Sequence, residues 1–334
     1  MATDSKIDST RALWYGIAFS FAFVMLIWVS GAYWLEPAAF ADRKPGIVMW
    51  YHWQLSEPTL WTKLSAWFFY LGHQVSIWYL IWRAQTGKLR YSSGLHRENI
   101  AALGANAFFI TLHLLQTHLW YDGLAADTPE WTSQASVTVV LVAILIMENQ
   151  RRGLAFGVKV PWLMDAGRTL RQYHGYYFSW AIIYTFWYHP MEYTSGHLLG
   201  FAYMFLLLLQ GSLFFTRMHV NRYWTIVQEA SVVIHAVIVA IMNTEGWPRF
   251  LTGFLGMFVI TQMHGLGLSR TVRWVIGLAY VGLLAVVYSR PGANHVIEAA
   301  LIPAAEFLLV IILSLLVVAI TRLVAWRRRQ FRPI

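Results

Sequence analysis

Twelve histidines in a chain without cysteine determine which chemistry this sequence can support. The absence of thiols excludes disulfides, iron–sulfur clusters and thiolate-ligated haem, whereas imidazole and carboxylate groups are ligands for iron, copper and zinc. The most compact pattern is His189-x2-Glu192-x4-His197, which places three such groups around a short Pro-Met-Glu turn. Because a turn of this length fixes its side chains at low entropic cost, the pattern predicts a metal site.

Two further histidines are expected to reach the same site from neighbouring helices. His235 lies on a polar stripe of the predicted seventh helix, and His113 shares a helix face with Asn106. His118 lies roughly 140° around the helix from His113, so an ideal helix cannot direct both at one ion. We therefore expect a buried transition-metal centre, with iron, copper and zinc left open, whose ligands are His113, His189, Glu192, His197 and His235.

Two residues are candidates for catalysis beside that centre. Tyr188 precedes His189 and is expected to shield the ion from water, and Glu229 lies in the same predicted helix as His235, where a carboxylate could handle protons. The predicted reaction is a membrane redox reaction on a hydrophobic or small substrate. A second polar layer, nearer the cytoplasm, is an alternative cofactor-binding or metal site, and it consists of Glu148, His174, His219 and His264.

The same histidines could instead ligate haem b through pairs of imidazoles. His174 and His189 are fifteen residues apart on one predicted helix, close to the separation that two stacked haem sites need. His219 could complete the inner site, and His113 or His235 the outer one. The alternative function is therefore that of a haem b electron-transfer subunit of the membrane.

Buried titratable groups also allow a proton-coupled transporter. His73, Glu229, His235 and Glu306 lie inside predicted spans, where ionisable groups are costly and are usually functional. Transporters of this kind often contain inverted repeats and interrupted helices, and neither is visible in the sequence. Pro303, beside Glu306, is the feature that favours a kink and keeps this alternative open.

The element that must position these groups is a bundle of membrane helices. The 334 residues are 58% hydrophobic and 12% charged, with a mean hydropathy of +0.49, and a helix needs about 20 apolar residues to cross the bilayer. We therefore expect an all-α, polytopic transmembrane bundle that forms a single integral membrane domain over residues 1–334. About ten spans are predicted, at residues 12–35, 60–83, 99–121, 131–150, 173–190, 195–217, 223–243, 248–266, 271–289 and 296–323.

Alternate connections between these spans differ in charge. Lys and Arg follow the second, fourth, sixth and eighth spans, whereas Asp122, Asp127, Glu130 and Glu192 lie in the other connections. Cytoplasmic loops retain positive charge, so both termini are expected in the cytoplasm of a bacterial inner membrane or its equivalent. The net charge of +9 then reflects contact with anionic headgroups. The expected partners are the lipid bilayer and a membrane or soluble redox protein, and no nucleic acid.

Other chemistries are excluded by groups that the sequence lacks. All five lysines lie outside the interiors of the predicted spans, so none is available for a retinal Schiff base. The glycine-rich segments at 253–256 and 265–267 are not followed by Lys-Ser or Lys-Thr, so they do not form a phosphate-binding loop. Both segments are instead typical of close helix packing.

Overall fold

The computed structural model describes residues 7–46, 50–242, 246–289 and 295–330. All regular secondary structure in these ranges is helical, which confirms the predicted all-α fold. Each α-helix overlaps one of the predicted segments: α1 (Ser9–Trp34), α2 (Leu60–Thr86), α3 (Arg97–Trp120), α4 (Glu130–Arg152), α5 (Leu163–Tyr188), α6 (Ser195–Ser212), α7 (Arg222–Met242), α8 (Trp247–Ile260), α9 (Arg270–Tyr288) and α10 (Leu301–Gln330).

Two helices differ from the predicted segments at one end. α5 begins at Leu163 instead of residue 173. In these additional turns Leu163 and Ala166 are fully buried in the core of the second unit, and Asp165 and Arg168 form an exposed ion pair one turn apart. α8 ends at Ile260, and a short 3-10 helix, Gln262–Gly265, replaces its last predicted turn.

Within the described ranges, six helical segments are long and apolar enough to cross a membrane, namely α1, α3, α4, α7, α9 and residues 296–327, which contain most of α10. They indicate an integral membrane protein that passes through the bilayer several times. α8 has 14 residues and extends about 21 Å, which is shorter than a hydrocarbon core of about 30 Å. α2 and α5 are long, but their Tyr, Trp and His side chains lower their hydropathy. The count of ten spans therefore stays a prediction.

The described residues divide into two compact units. The first unit is drawn from residues 1–137 and 175–235, and the second from residues 138–174 and 236–334. α1, α2, α3 and α6 belong to the first unit and α8, α9 and α10 to the second, whereas α4, α5 and α7 contribute residues to both. The predicted single domain over the whole chain is not tested by this division.

In the first unit, α3 packs against α2 and α6, and α6 also packs against α1. The most buried members of the core between them are Ile27, Ile183, Phe186, Trp187 and Phe201. The loop after α3 approaches the end of α5 so closely that a Cβ atom on Gly123 would lie 2.3 Å from the Trp187 carbonyl oxygen. Since only glycine fits there, this contact fixes the position of the neighbouring Asp122.

In the second unit, α8 packs against α9 and α10. A Cβ atom on Gly253 of α8 would lie 2.9 Å from Ile302 Cβ of α10. The small residue at position 253 therefore allows α10 to approach α8. Glu306 of α10 is buried, and it lies in electrostatic range of the buried Arg152. A positive charge thus accompanies this intramembrane carboxylate.

Candidate functional site

Three of the predicted metal ligands form a group of imidazoles in the first unit. His189 follows the last residue of α5, His197 lies in the first turn of α6, and His235 lies on α7. The ring centres of His189 and His197 are 5.9 Å apart. A Cβ atom on Gly200, one turn beyond His197, would lie 3.3 Å from His235 Cε1, so His235 packs against the same stretch of α6. We refer to these three residues as the histidine cluster.

The loop between α1 and α2 covers the histidine cluster. The hydroxyl of Tyr51 is 2.7 Å from His197 Nε2, and its ring centre is 5.0 Å from that of His189. Trp53 packs edge-on against His197 with ring centres 5.3 Å apart. Neither Tyr51 nor Trp53 was among the predicted site residues. The aromatic run at residues 50–53, in a connection between helices, is the signal that could have indicated them.

The protonation of Tyr51 follows from its burial. Desolvation is the main cause that raises the pKa of Tyr51 well above its ordinary value of 10.0, so the phenol stays protonated at neutral pH. It can then donate to His197 Nε2, while Nδ1 of that ring pairs with the Thr194 hydroxyl at 2.7 Å. In this arrangement the Tyr51 proton occupies the lone pair with which His197 would bind a metal.

Two buried nitrogens of the histidine cluster have no hydrogen-bond partner among the described residues. Nδ1 of His189 and Nδ1 of His235 are both shielded from solvent and unpaired among the described residues. A buried polar atom without a partner costs on the order of 1–3 kcal/mol, so such atoms require an explanation. A bound ion or a polar substrate group would satisfy both. Nε2 of His118 is a third atom of this kind, on a different side of α3 from His113.

His113 lies beside the histidine cluster, but its Nε2 is engaged. Its Nε2 is 2.8 Å from the carbonyl oxygen of His189, and its Nδ1 is 3.2 Å from Gln116 Oε1. Because a carbonyl oxygen only accepts, Nε2 carries a proton and donates it. The ring of Trp187 packs on His113 with ring centres 4.3 Å apart. In this arrangement His113 holds the backbone of His189.

Both carboxylate oxygens of Glu192 have partners. Oε1 accepts a hydrogen bond from the Tyr121 hydroxyl at 2.8 Å, and Oε2 accepts one from the backbone N–H of Tyr193 at 3.0 Å. One residue earlier, the N–H of Met191 donates to Thr117 Oγ1 at 2.9 Å. These bonds fasten the turn between α5 and α6 to the end of α3, so they fix the backbone between His189 and His197.

Asp122 fastens the covering loop. Its carboxylate accepts a hydrogen bond from the backbone N–H of Leu55, at 3.1 Å from one oxygen and 3.3 Å from the other. Its carbonyl oxygen accepts from Gln116 Nε2 at 2.7 Å. The side chain is fully buried, and desolvation raises the pKa of Asp122 to about 7. The loop that carries Tyr51 is therefore held by a carboxylate that titrates near neutral pH.

Tyr188, a predicted catalytic residue, packs against the cluster. Its ring is fully buried, with its centre 5.0 Å from that of His189 and 5.5 Å from that of Tyr51. Its hydroxyl is 3.4 Å from the carbonyl oxygen of Thr128 and donates to it. Tyr188 therefore separates one side of His189 from solvent, and its predicted role in catalysis stays a prediction.

Glu229, the second predicted catalytic residue, is connected to the cluster through Tyr203. Glu229 lies in electrostatic range of Tyr203, and the Tyr203 ring centre is 6.4 Å from that of His235. Tyr203 was absent from the predicted site. Its position two turns after His197 on α6 is the signal that could have indicated it.

A different arrangement surrounds His73 on α2. Its Nδ1 accepts a hydrogen bond from Trp187 Nε1 at 3.2 Å, because an indole N–H only donates. Its Nε2 therefore donates to Asn106 Oδ1 at 2.7 Å, and Asn106 Nδ2 donates in turn to Ser212 Oγ at 2.8 Å. The His73 ring is completely buried and stacks on Phe109. We refer to His73, Asn106 and Trp187 as the His73 node.

The second predicted layer is divided between the two units. Glu148, His174 and His264 belong to the second unit and His219 to the first. Glu148 forms an ion pair with Arg151, and each of the three histidines lies within hydrogen-bond distance of a backbone carbonyl oxygen. These residues thus have local partners, and a cofactor site formed by them stays a prediction.

Among the residues that the structure describes, no group of three or more His, Asp or Glu side chains is arranged to hold a metal ion. The predicted set of five ligands is brought together only in part. His189, His197 and His235 form the cluster, whereas His113 and Glu192 are bonded to carbonyl, phenol and amide groups. Metal or haem binding at this site is therefore a hypothesis that rests on the chemistry of the side chains.

Comparison with known proteins provides no relative. No family model matches the chain, and no curated protein or solved structure is detectably similar to it. The interpretation of the site therefore depends on its own residues.

Proposed function

We propose that this protein is a multi-pass membrane oxidoreductase that binds a transition-metal ion at the histidine cluster and acts on a hydrophobic or small substrate. The observation that carries the proposal is the pair of buried, unpaired Nδ1 atoms on His189 and His235. The proposal includes ten spans with both termini in the cytoplasm, in a bacterial inner membrane or its equivalent.

The spacing within the histidine cluster supports a metal ion. Two imidazoles whose nitrogens each lie about 2 Å from one ion have ring centres roughly 5–6 Å apart. His189 and His197 have ring centres 5.9 Å apart, so modest rotations would direct one nitrogen of each ring at the same ion. His235 would supply a third nitrogen. Imidazole donors suit copper, iron and zinc, and a redox reaction at the metal requires copper or iron because zinc is not redox-active.

His113 and Glu192 support the ligands in this proposal. His113 donates to the carbonyl oxygen of His189, and Glu192 fastens the following turn through Tyr121. Groups that orient metal ligands in this way typically change metal affinity about 10- to 100-fold. Both residues were predicted as direct ligands, and the proposal gives them this indirect role.

Tyr51 has to exchange its partner when the metal binds. An ion held by His197 Nε2 would take the lone pair that now accepts the phenol proton, and the protonated hydroxyl of Tyr51 would be free to turn to a substrate. Such a phenol can donate a proton to a substrate oxygen. Tyr188 excludes water on one side, and Glu229 exchanges protons with the site through Tyr203.

Visible absorption and metal analysis of the same purified sample test the proposal. After growth with copper and iron, we expect a stoichiometric amount of one of them in the wild type and none in a His189→Ala/His235→Ala double variant. His295→Ala is the matched control, because His295 is an exposed histidine outside the cluster.

Two outcomes would contradict the proposal. One is wild-type protein without bound copper or iron, or a double variant that keeps the metal. The other is a Soret band with sharp reduced α-bands, which would identify haem b and assign the histidines to an electron-transfer subunit.

A further inference from the structure

An apolar groove lies between α1, α3 and α6 of the first unit. Its volume is about 310 Å³, and its lining includes Tyr15, Phe19, Ile100, Ile110, Phe205 and Leu208. The polar residues in the lining are engaged within the bundle: Ser20 donates to the Gly16 carbonyl oxygen, and Asn106 donates to Ser212. The groove therefore offers a surface for hydrocarbon and few hydrogen-bonding groups.

One loop joins the three helices at the same end of this groove. The backbone N–H of Ser9, in the first turn of α1, donates to the carbonyl oxygen of Ser93 at 2.8 Å. The backbone N–H of Arg217, beyond α6, donates to the carbonyl oxygen of Ser92 at 2.9 Å. Leu95 of the same loop lines the groove, and α3 begins two residues later.

Three arginines lie at this end of the groove. Arg11 is in the first turn of α1, Arg97 is the first residue of α3, and Arg217 follows α6. All three are exposed, and their guanidinium groups form no hydrogen bond or ion pair within the described part of the chain. Asp8 accepts from the backbone N–H of Arg11, and Glu98 is in a separate ion pair. Three guanidinium groups thus face one carboxylate outside an ion pair, that of Asp8, so the local charge is positive.

We propose that the groove binds an anionic phospholipid, with an acyl chain between α1, α3 and α6 and the phosphate beside Arg11, Arg97 and Arg217. The apolar lining matches the chain, and a guanidinium group matches a phosphate in both charge and geometry. Basic pockets between membrane helices bind anionic headgroups in the same way. This end of α1 is the one predicted to face the cytoplasm, whose leaflet carries anionic lipids.

Lipid retention in detergent tests the charge requirement. Wild-type protein is reconstituted in bilayers of equal parts phosphatidylcholine and phosphatidylglycerol, extracted, and weighed with its bound lipids by native mass spectrometry. We expect one retained phosphatidylglycerol, and at least a tenfold lower occupancy in Arg11→Gln/Arg97→Gln/Arg217→Gln. The matched control is Arg270→Gln/Arg322→Gln/Arg327→Gln, which removes the same charge from exposed positions outside the groove.

Ala107→Phe tests the groove itself, because Ala107 lines it and a larger side chain would fill the space of the acyl chain. We expect this variant to lose the lipid as well, while it elutes as a monodisperse species like the wild type. Equal loss in the control triple variant would show that only general positive charge matters, and the proposal would be wrong. Equal retention of phosphatidylcholine and phosphatidylglycerol by the wild type, or full retention by Ala107→Phe, would also overturn it.

Discussion

The His73 node and the histidine cluster both contain buried imidazole nitrogens in the first unit, yet only the node is complete. In the node, the two ring nitrogens of His73 pair with Asn106 and Trp187. In the cluster, Nδ1 of His189 and of His235 has no partner among the described residues. Burial of a histidine in a membrane bundle is therefore weak evidence of function. A buried imidazole nitrogen without a hydrogen-bond partner is stronger evidence of a binding site.

Metal affinity should differ more than any other property between variants of the histidine cluster and variants of the His73 node. His197→Ala removes a proposed ligand, so we expect metal affinity to fall by more than about 100-fold, beyond what indirect contacts contribute. His73→Leu should leave the affinity within a few-fold of the wild type. Competition with a chelator of known affinity measures both. A comparable loss of metal affinity in folded His73→Leu protein would show that the two groups do not differ in metal binding.

Stability of the metal-free protein should show the opposite order. His73→Leu leaves the Trp187 N–H and the Asn106 amide without their buried partner, which costs about 2–4 kcal/mol. His235→Leu removes a nitrogen that has no partner, so the expected change is near zero or stabilising. Apparent melting temperatures in detergent, followed by tryptophan fluorescence, compare the two. A larger loss for His235→Leu would show that the cluster is a structural element.

Asp122, which fastens the loop over the cluster, is expected to make the stability of the protein depend on pH. The pKa of Asp122 is about 7 in the folded protein against an ordinary value of 3.8, so between these values the folded state holds a proton that the unfolded state has released. The contribution of Asp122 to the free energy of unfolding therefore falls as pH rises from about 4 to about 7 and is level above that. We expect a change of about 1–2 kcal/mol, less than the pKa difference alone implies, because the loop can open and rehydrate the carboxylate.

Asp122→Asn tests this assignment. The amide oxygen can still accept from the N–H of Leu55 but does not titrate, so the difference in melting temperature between the wild type and Asp122→Asn should fall from pH 4 to pH 7 and stay level up to pH 8. Asp165→Asn is the control, because it removes a carboxylate whose side chain is 73% exposed, and it should keep the wild-type slope. An unchanged slope in Asp122→Asn would assign the pH response to another group.

The helices could be predicted because long apolar runs are local features of the sequence. Each predicted segment overlaps a helix, and the errors fall at ends such as Leu163, where the first turns of α5 bury Leu163 and Ala166 in the core without a long apolar run. The division into two units had no comparable local signal. It depends on which helices pack together, and most of the chain is apolar throughout.

The histidine cluster could be predicted in part, for the same reason. His189 and His197 are close in the chain, and helical phase indicated His235. Tyr51 and Trp53 come from a loop that Asp122 holds in place from another connection, and no periodicity in the sequence reports such a contact. The paired state of His73 likewise depends on Trp187, which lies on another helix.

X-ray absorption spectroscopy of the metal-loaded protein is the most direct test that His189, His197 and His235 bind the metal. We expect nearest-neighbour nitrogens at about 2.0–2.1 Å, with the multiple scattering of three imidazoles in the wild type and of two in His235→Ala. A ligand shell without imidazole scattering, or one unchanged in His235→Ala, would contradict the assignment of the metal to His189, His197 and His235.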